Sequence, residues 1–395
     1  VNATLERELR AELDALAAAG TLKAFHAFDS PQAPHARLDD VGGVLVLCSN
    51  NYLSLADHPA VVAAGVAGLE RYGAGTASVR FICGLFAPHR ELEHDLASFL
   101  GTEAALSFGS CWAANEAAIA ALTDARTVIL SDALNHASII DAIRLSRPAR
   151  RVVYPHADMA ALAAELAACP PDARKLVITD GVFSMEGDLA PLDELHALCR
   201  AHDAILVVDD SHGTGVMGET GRGTPEHFGL HGEIDVVTGT LGKALGGAAG
   251  GFVAASAAVC SILEQRSRPQ LFSNALPPTV ACSARAALGV LRDEPQRVAR
   301  LREVTARFRA RCRTAGLAPL DGDSAIVPII VGETAVAMRL ASALLADEGI
   351  LVTGFGYPVV PEGAARIRVQ LSAGLSDEDV DAAVAAIARV VGAGA

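Results

Sequence analysis

Residues 204–215 read Ala-Ile-Leu-Val-Val-Asp-Asp-Ser-His-Gly-Thr-Gly, an apolar run that stops at Asp209, Asp210 and His212. Residues 235–247 repeat the form as Asp-Val-Val-Thr-Gly-Thr-Leu-Gly-Lys-Ala-Leu-Gly-Gly, ending at Lys243 among glycines. Apolar runs without polar alternation mark strands buried on both faces, so these segments belong to a mostly parallel sheet covered by helices on each side. Similar runs at 127–130, 175–179 and 251–254 extend the sheet, and helical periodicity at 159–168 and 192–202 supplies its crossovers, expected to be right-handed. This pattern defines a large α/β domain over residues 50–290.

A second pattern follows, predicting a smaller α+β domain over 291–395: helix 294–314, strand 325–331, helix 334–348, strands 350–353 and 366–370, and helix 377–391. Ser376 with Asp379 three residues on forms a capping box for the last helix, and the tail 390–395 is expected to fray. The first 49 residues are expected as a separate segment opening on an amphipathic helix that reaches Phe25. Charges at Glu6, Arg7, Glu8, Arg10, Glu12 and Asp14 exclude the apolar core of a signal peptide there.

Composition narrows the function classes. With 395 residues, 51% hydrophobic and 20% charged, the chain has ample material for two cores. A formal net charge of -14 repels nucleic acid and anionic membrane, so a phosphorylated ligand needs local donors. The eight cysteines form no C-x-x-C pair and no metal-ligand spacing, which fits a reducing cytoplasm and excludes a disulfide framework or zinc site. Residues 244–263 carry no charge, but seven Ala and four Gly give them too little transfer free energy for a membrane span.

Ligands of open α/β sheets bind beyond the carboxyl ends of the strands, where Asp209 falls. A carboxylate there suits the protonated nitrogen of a pyridine ring, which it keeps electron-withdrawing; the alternative for a single Asp is a turn or helix cap. Lys243 lies 34 residues further on, and a lysine among glycines at a buried strand end is poised to lose its proton and form a Schiff base. A phosphate-binding P-loop is excluded, since Val237 and Ala244 occupy positions that motif reserves for Gly and Ser/Thr. The stretch 107–115, Ser-Phe-Gly-Ser-Cys-Trp-Ala-Ala-Asn, opens a helix with small residues whose free N–H groups could face a phosphate or could be ordinary capping. His136 falls in a loop after the strand at 127–130.

Together these segments resemble the α-oxoamine synthases, pyridoxal 5'-phosphate (PLP) enzymes that join an amino acid to an acyl-CoA. The resemblance rests on 48–53 (Cys-Ser-Asn-Asn-Tyr-Leu), 77–84 (Ala-Ser-Val-Arg-Phe-Ile-Cys-Gly), 131–141 (Ser-Asp-Ala-Leu-Asn-His-Ala-Ser-Ile-Ile-Asp) and 179–187 (Thr-Asp-Gly-Val-Phe-Ser-Met-Glu-Gly). It continues in 238–247, 265–274 (Gln-Arg-Ser-Arg-Pro-Gln-Leu-Phe-Ser-Asn), 357–361 (Tyr-Pro-Val-Val-Pro) and 365–370 (Ala-Arg-Ile-Arg-Val-Gln), and so covers nearly the whole chain. It implies the α/β aminotransferase fold of type I and PLP as cofactor. Lys243 would carry the cofactor and later act as base at the substrate α-carbon. Asp209 would pair with the ring nitrogen, His136 would stack on the ring, and His212 with Ser184 would lie at its phenolic oxygen.

The same resemblance assigns the phosphate to Ser110, the N–H groups of Cys111 and Trp112, Thr240, and Ser273 with Asn274 of the second subunit of a homodimer. Arg368, helped by Asn50, would take the substrate carboxylate as a bidentate pair. The branch resembled most condenses glycine with acetyl-CoA. Departures from that branch lie at 85–88, where Leu-Phe-Ala-Pro replaces a polar run, and at Trp112-Ala113, where Phe-Asp is the pattern; 211–218 fits a biosynthetic branch equally. A relative using another amino acid or acyl-CoA, an aminotransferase, and a catalytically silent binding subunit stand as alternatives.

Overall fold

The Val- and Ile-rich runs form the strands their composition demands. The structure is a computed structural model describing residues 2–394. The chain divides into two compact units, one comprising Asn50–Ser184 and Asp188–Leu301 and the other the remaining described residues. Val1 and Ala395, the ends of the expected N-terminal helix and of the fraying tail, lie outside the described residues.

In the first unit seven strands lie in the order Ala104–Phe108, Gly251–Ala255, Val236–Thr240, Ala204–Asp209, Arg174–Asp180, Thr127–Asp132, Arg150–Tyr154. The last five are mutually parallel, whereas Gly251–Ala255 runs antiparallel to both its neighbours. The chain therefore reverses between Thr240 and Gly251, and Lys243 sits in that reversal. Two of the strands escape sequence reading. Ala104–Phe108 begins with two alanines, and Arg150–Tyr154 is an edge strand that carries two arginines.

One face of the sheet is covered by the helices Cys111–Leu122, Ala137–Leu145 and Ala257–Arg266. Ala114, Ala117, Ala118 and Ile119 pack there against Leu106, Ile129, Leu176, Ile178 and Val207, all buried. Small residues bring that helix close to the sheet, and Gly251 completes the approach. A Cβ at Gly251 would stand 2.3 Å from the Cys111 amide nitrogen, so only glycine lets the strand pass beneath the start of the helix.

A buried ion pair braces the strand that leads into this helix. Arg80 donates to both Glu93 oxygens at 2.7 and 3.1 Å, and Glu93 Oε1 also accepts from the N–H and hydroxyl of Ser107 at 2.9 and 2.7 Å. Both charged side chains are about nine-tenths buried.

In the second unit Gly42–Val46 pairs antiparallel with His35–Leu38 and parallel with Ile350–Leu351, so N-terminal residues share a sheet with C-terminal ones. The single strand expected at 350–353 is two. Ile350–Leu351 joins that sheet, while Thr353–Phe355 pairs antiparallel with Ala365–Gln370 in another, which also holds Ile326–Gly332. Periodicity cannot reveal such a change of partner within one apolar run. The capping box is present, with Ser376 Oγ accepting from the Asp379 N–H at 3.0 Å and Asp379 Oδ2 from the Ser376 N–H at 2.9 Å. The first helix spans Ala3–Ala18 and stops short of Phe25 as the chain turns at Gly20, whose φ of 68° is left-handed. No helix among the described residues is long and apolar enough to cross a membrane.

Removing Glu93 strands a buried guanidinium and a strand N–H. Glu93→Ala is expected to lower unfolding stability by about 3–5 kcal/mol in urea melts, whereas replacing the pair together, as Arg80→Met with Glu93→Leu, recovers most of the loss.

Candidate active site

Parallel strands present their carboxyl ends along one edge, and here three neighbouring strands each end in an aspartate: Asp132, Asp180 and Asp209. Asp180 and Asp209 are register partners. Beyond that edge lies a cavity of about 210 Å³. Asp209, Lys243, His136, His212, Thr240, Cys111 and Trp112, all expected from sequence, line it, together with Ser138, Asp180, Val182 and Ser211.

Asp209 is held by donors on two sides. Its Oδ2 accepts from Asn115 Nδ2 at 2.7 Å and its Oδ1 from the Ser211 N–H at 3.0 Å. The Asn115 amide is itself oriented, since Thr238 Oγ1 donates to its Oδ1 at 2.7 Å. The Cys111 thiol lies 3.8 Å from both Asp209 oxygens and accepts from Ser211 Oγ at 3.2 Å. Burial, then the charge of Asp209, pushes that thiol well above its usual range, so it stays protonated. Burial, and after it Asp209, likewise holds the Asp180 carboxyl well above the ordinary carboxylate range, and its Oδ1 has no hydrogen-bond partner among the described residues. Of two adjacent carboxyls, one is pushed toward its neutral form by burial and the other is surrounded by donors.

Lys243 Nζ stands 2.9 Å from His212 Nε2, and the Tyr52 hydroxyl lies 2.8 Å from His212 Nδ1. The imidazole is thus pinned between a buried phenol and the lysine amine. His136 caps the helix Ala137–Leu145, its Nδ1 lying 2.8 Å from Ser138 Oγ, and Trp112 meets its ring edge-on with centroids 6.0 Å apart. Burial lowers the pKa of His136, and Lys243 adds to this against the opposing pull of Asp209, so its ring is a neutral flat surface near pH 7. Ser110 Oγ accepts from the Ala113 N–H at 3.1 Å, whereas the Cys111 and Trp112 N–H groups precede any intrahelical partner.

The other expected residues are not among those that line this cavity. Ser184 is one of these, and the Tyr52 hydroxyl lies at the His212 imidazole. Asn50 belongs to the same unit without lining the cavity. Ser273 and Asn274 are exposed after the short helix Arg268–Phe272. Arg368 lies in the second unit, its Nη2 donating to Gln370 Oε1 at 2.9 Å and its guanidinium 4.6 Å from the centre of the Phe355 ring. Sequence reasoning gave no role to Tyr52, Asn115, Ser138, Thr238, Asp180 or Ser211. Asn115 and Thr238 carried a signal in retrospect, as polar residues within otherwise apolar buried segments.

A flat imidazole, an amine, a carboxylate held by donors and a helix start whose first N–H groups have no intrahelical partner, gathered around one small cavity, fit the functional groups of PLP. The sequence profile described as aminotransferase class I and II matches residues 42–387. The chain belongs to that family. Within it the chain is an α-oxoamine synthase with PLP as its cofactor. It is 45% identical over 389 residues to human mitochondrial 2-amino-3-ketobutyrate coenzyme A ligase, covering 98% of this chain and 92% of the relative. It is 50% identical over 350 residues to 8-amino-7-oxononanoate synthase of Geobacter sulfurreducens, 88% of each chain. A structure of serine palmitoyltransferase from S. paucimobilis with bound PLP and myriocin superposes with a TM-score of 0.93 at 29% identity, covering 100% of this chain and 99% of that one.

A larger groove of about 930 Å³ lies elsewhere on the first unit, but charges along it answer one another, Arg285 donating to Asp95 at 2.8 Å and to Glu91. The donors around Asp209 give the test of the smaller cavity. Asn115→Ala is expected to weaken PLP binding about tenfold, the value of one hydrogen bond to a charged group, as read by titrating the apoenzyme and following cofactor absorbance.

Proposed function

We propose that this chain condenses glycine with acetyl-CoA, giving an α-amino-β-keto acid and free CoA in a reversible reaction. The observation that carries the reading is the near-complete alignment with the human ligase over a cavity that holds a lysine amine and a braced carboxylate at the carboxyl edge of the sheet. The new bond joins the glycine α-carbon to the acetyl carbonyl carbon, and the CoA sulfur leaves with the electron pair of the broken thioester bond.

PLP bound here supplies an electron sink for the negative charge at the substrate α-carbon. Asp209 would hold the ring nitrogen protonated, and Asn115 with the Ser211 N–H keeps that carboxylate in place. Lys243 would anchor the cofactor and then take one α-proton, which ends on the departing CoA sulfur. His212, fixed by Tyr52, sits within hydrogen-bond reach of the Lys243 amine and steadies it for that transfer. His136 would cover one face of the ring, and its neutral form avoids repelling a protonated pyridine.

The N–H groups of Cys111 and Trp112, with Ser110 and Thr240, would hold the phosphate, joined by Ser273 and Asn274 of the second subunit of a homodimer. Arg368 with Asn50 would bind the glycine carboxylate, and Ser184 would serve the phenolic side of the cofactor. All eight cysteines are free thiols, which fits a reducing compartment such as the cytoplasm. The similarity to the Geobacter synthase favours a second reading, in which the same centre joins another amino acid to a longer acyl-CoA.

Incubating the purified enzyme with amino acids paired with acyl-CoA thioesters and measuring free thiol separates these readings. Fastest release is expected with glycine and acetyl-CoA. Faster release with a longer thioester and another amino acid would favour the second reading, and amino transfer to a 2-oxo acid without thiol release would overturn both.

A further inference from the structure

His156 follows the edge strand Arg150–Tyr154, and both of its ring nitrogens face carboxylates. Nδ1 lies 3.0 Å from Asp132 Oδ1 and Nε2 2.9 Å from Asp188 Oδ2. A neutral imidazole carries one N–H and could donate to only one of them; an imidazolium satisfies both. The edge of the ring also meets Phe183, with centroids 4.4 Å apart and planes at 83°.

Each carboxylate organises a separate loop. Asp132 ends its strand and accepts from the Leu134 N–H at 2.8 Å and, through its other oxygen, from the Ala157 N–H at 2.9 Å. The turn fixed this way delivers Asn135 and His136. Asn135 then bonds back, donating to the Ile178 carbonyl at 2.8 Å and accepting from the Asp180 N–H at 2.8 Å. The Asp188 carbonyl accepts from the Phe183 N–H at 3.0 Å, closing the loop that carries Val182 into the cavity wall. His156 itself is not among the residues that line the cavity.

We propose that His156, as an imidazolium, is a positioning residue that ties the loop bearing His136 to the loop bearing Val182 and Ser184, and so sets the two walls between which the cofactor ring is held. The proposal rests on the reading that PLP occupies this cavity. The Asp132 side chain is 2% exposed and that of Asp188 39%, so the inner bond is shielded from water and the outer one is not. Burial of His156 disfavours its charge, but the bonds and charges of Asp132 and Asp188 outweigh this and push its pKa up to about 10. The Tyr154 phenol and the Asp180 carboxyl also lie within electrostatic reach of Asp132, each held well above its usual range, first by burial. Because the folded pKa lies above the unfolded value of about 6.5, the stabilisation is complete below that pH and is lost as pH rises through about 10.

The test compares the holoenzyme with His156→Gln, and with Asp188→Asn in case the first variant does not fold. Wild-type protein that retained no PLP would sink the cofactor reading before either variant is examined. With PLP retained, His156→Gln is expected to bind it about tenfold more weakly and to lose half or more of the visible circular dichroism of the bound cofactor, and Asp188→Asn is expected to shift both in the same direction by about two- to threefold. The difference in Tm between wild type and His156→Gln should shrink between pH 7 and about 10. Affinity and dichroism within measurement error of wild type in whichever variant folds would overturn the proposal, even if Tm fell, because a clip that only stabilises the fold leaves the cofactor's surroundings unchanged.

Discussion

Three carboxyl groups at one edge of a parallel sheet must each find a different answer to the cost of burial. Asp132 is met by an imidazole and two backbone N–H groups, burial holds the pKa of Asp180 well above the ordinary carboxylate range, and Asp209 is surrounded by Asn115 and the Ser211 N–H. Only the last presents a carboxylate braced by donors to a cavity that also holds an amine. The proposed chemistry draws on that division, because a carboxylate braced beside a ring nitrogen favours the protonated ring.

The amine is placed by topology. One antiparallel strand, Gly251–Ala255, enters a sheet that is otherwise parallel, and the chain must turn back on itself after Thr240 to reach it. Lys243 rides on that turn, and His212 with Tyr52 holds its amine from the other side. The same strand starts beneath the helix at Cys111, where the absence of a Cβ at Gly251 allows contact. One reversal of direction thus brings the lysine and the helix start at Cys111 to the same edge of the sheet.

The central strands were legible because burial on both faces leaves an unbroken apolar run, and Asp209 and Lys243 stood out as charged residues at the ends of such runs, where the structure places both at one cavity. His136 gained meaning only from the resemblance, since a loop histidine alone signals nothing. Ala104–Phe108 and Arg150–Tyr154 were missed, the first for its alanines and the second because an edge strand tolerates arginine. The strand at 350–353 was read as continuous because two partners in different sheets leave no mark on local periodicity. Tyr52 lies 160 residues before His212 and Asn115 94 residues before Asp209, and no local pattern encodes contacts at such separations.

The proposed chemistry requires Lys243 to be the residue that bonds to the cofactor. Reducing the holoenzyme with borohydride, digesting it and sequencing the modified peptide by mass spectrometry tests this most directly. A pyridoxyl group on the peptide containing Lys243, absent from Lys243→Ala, is the predicted result. Modification at another lysine, or none in a protein that otherwise folds, would contradict the central claim.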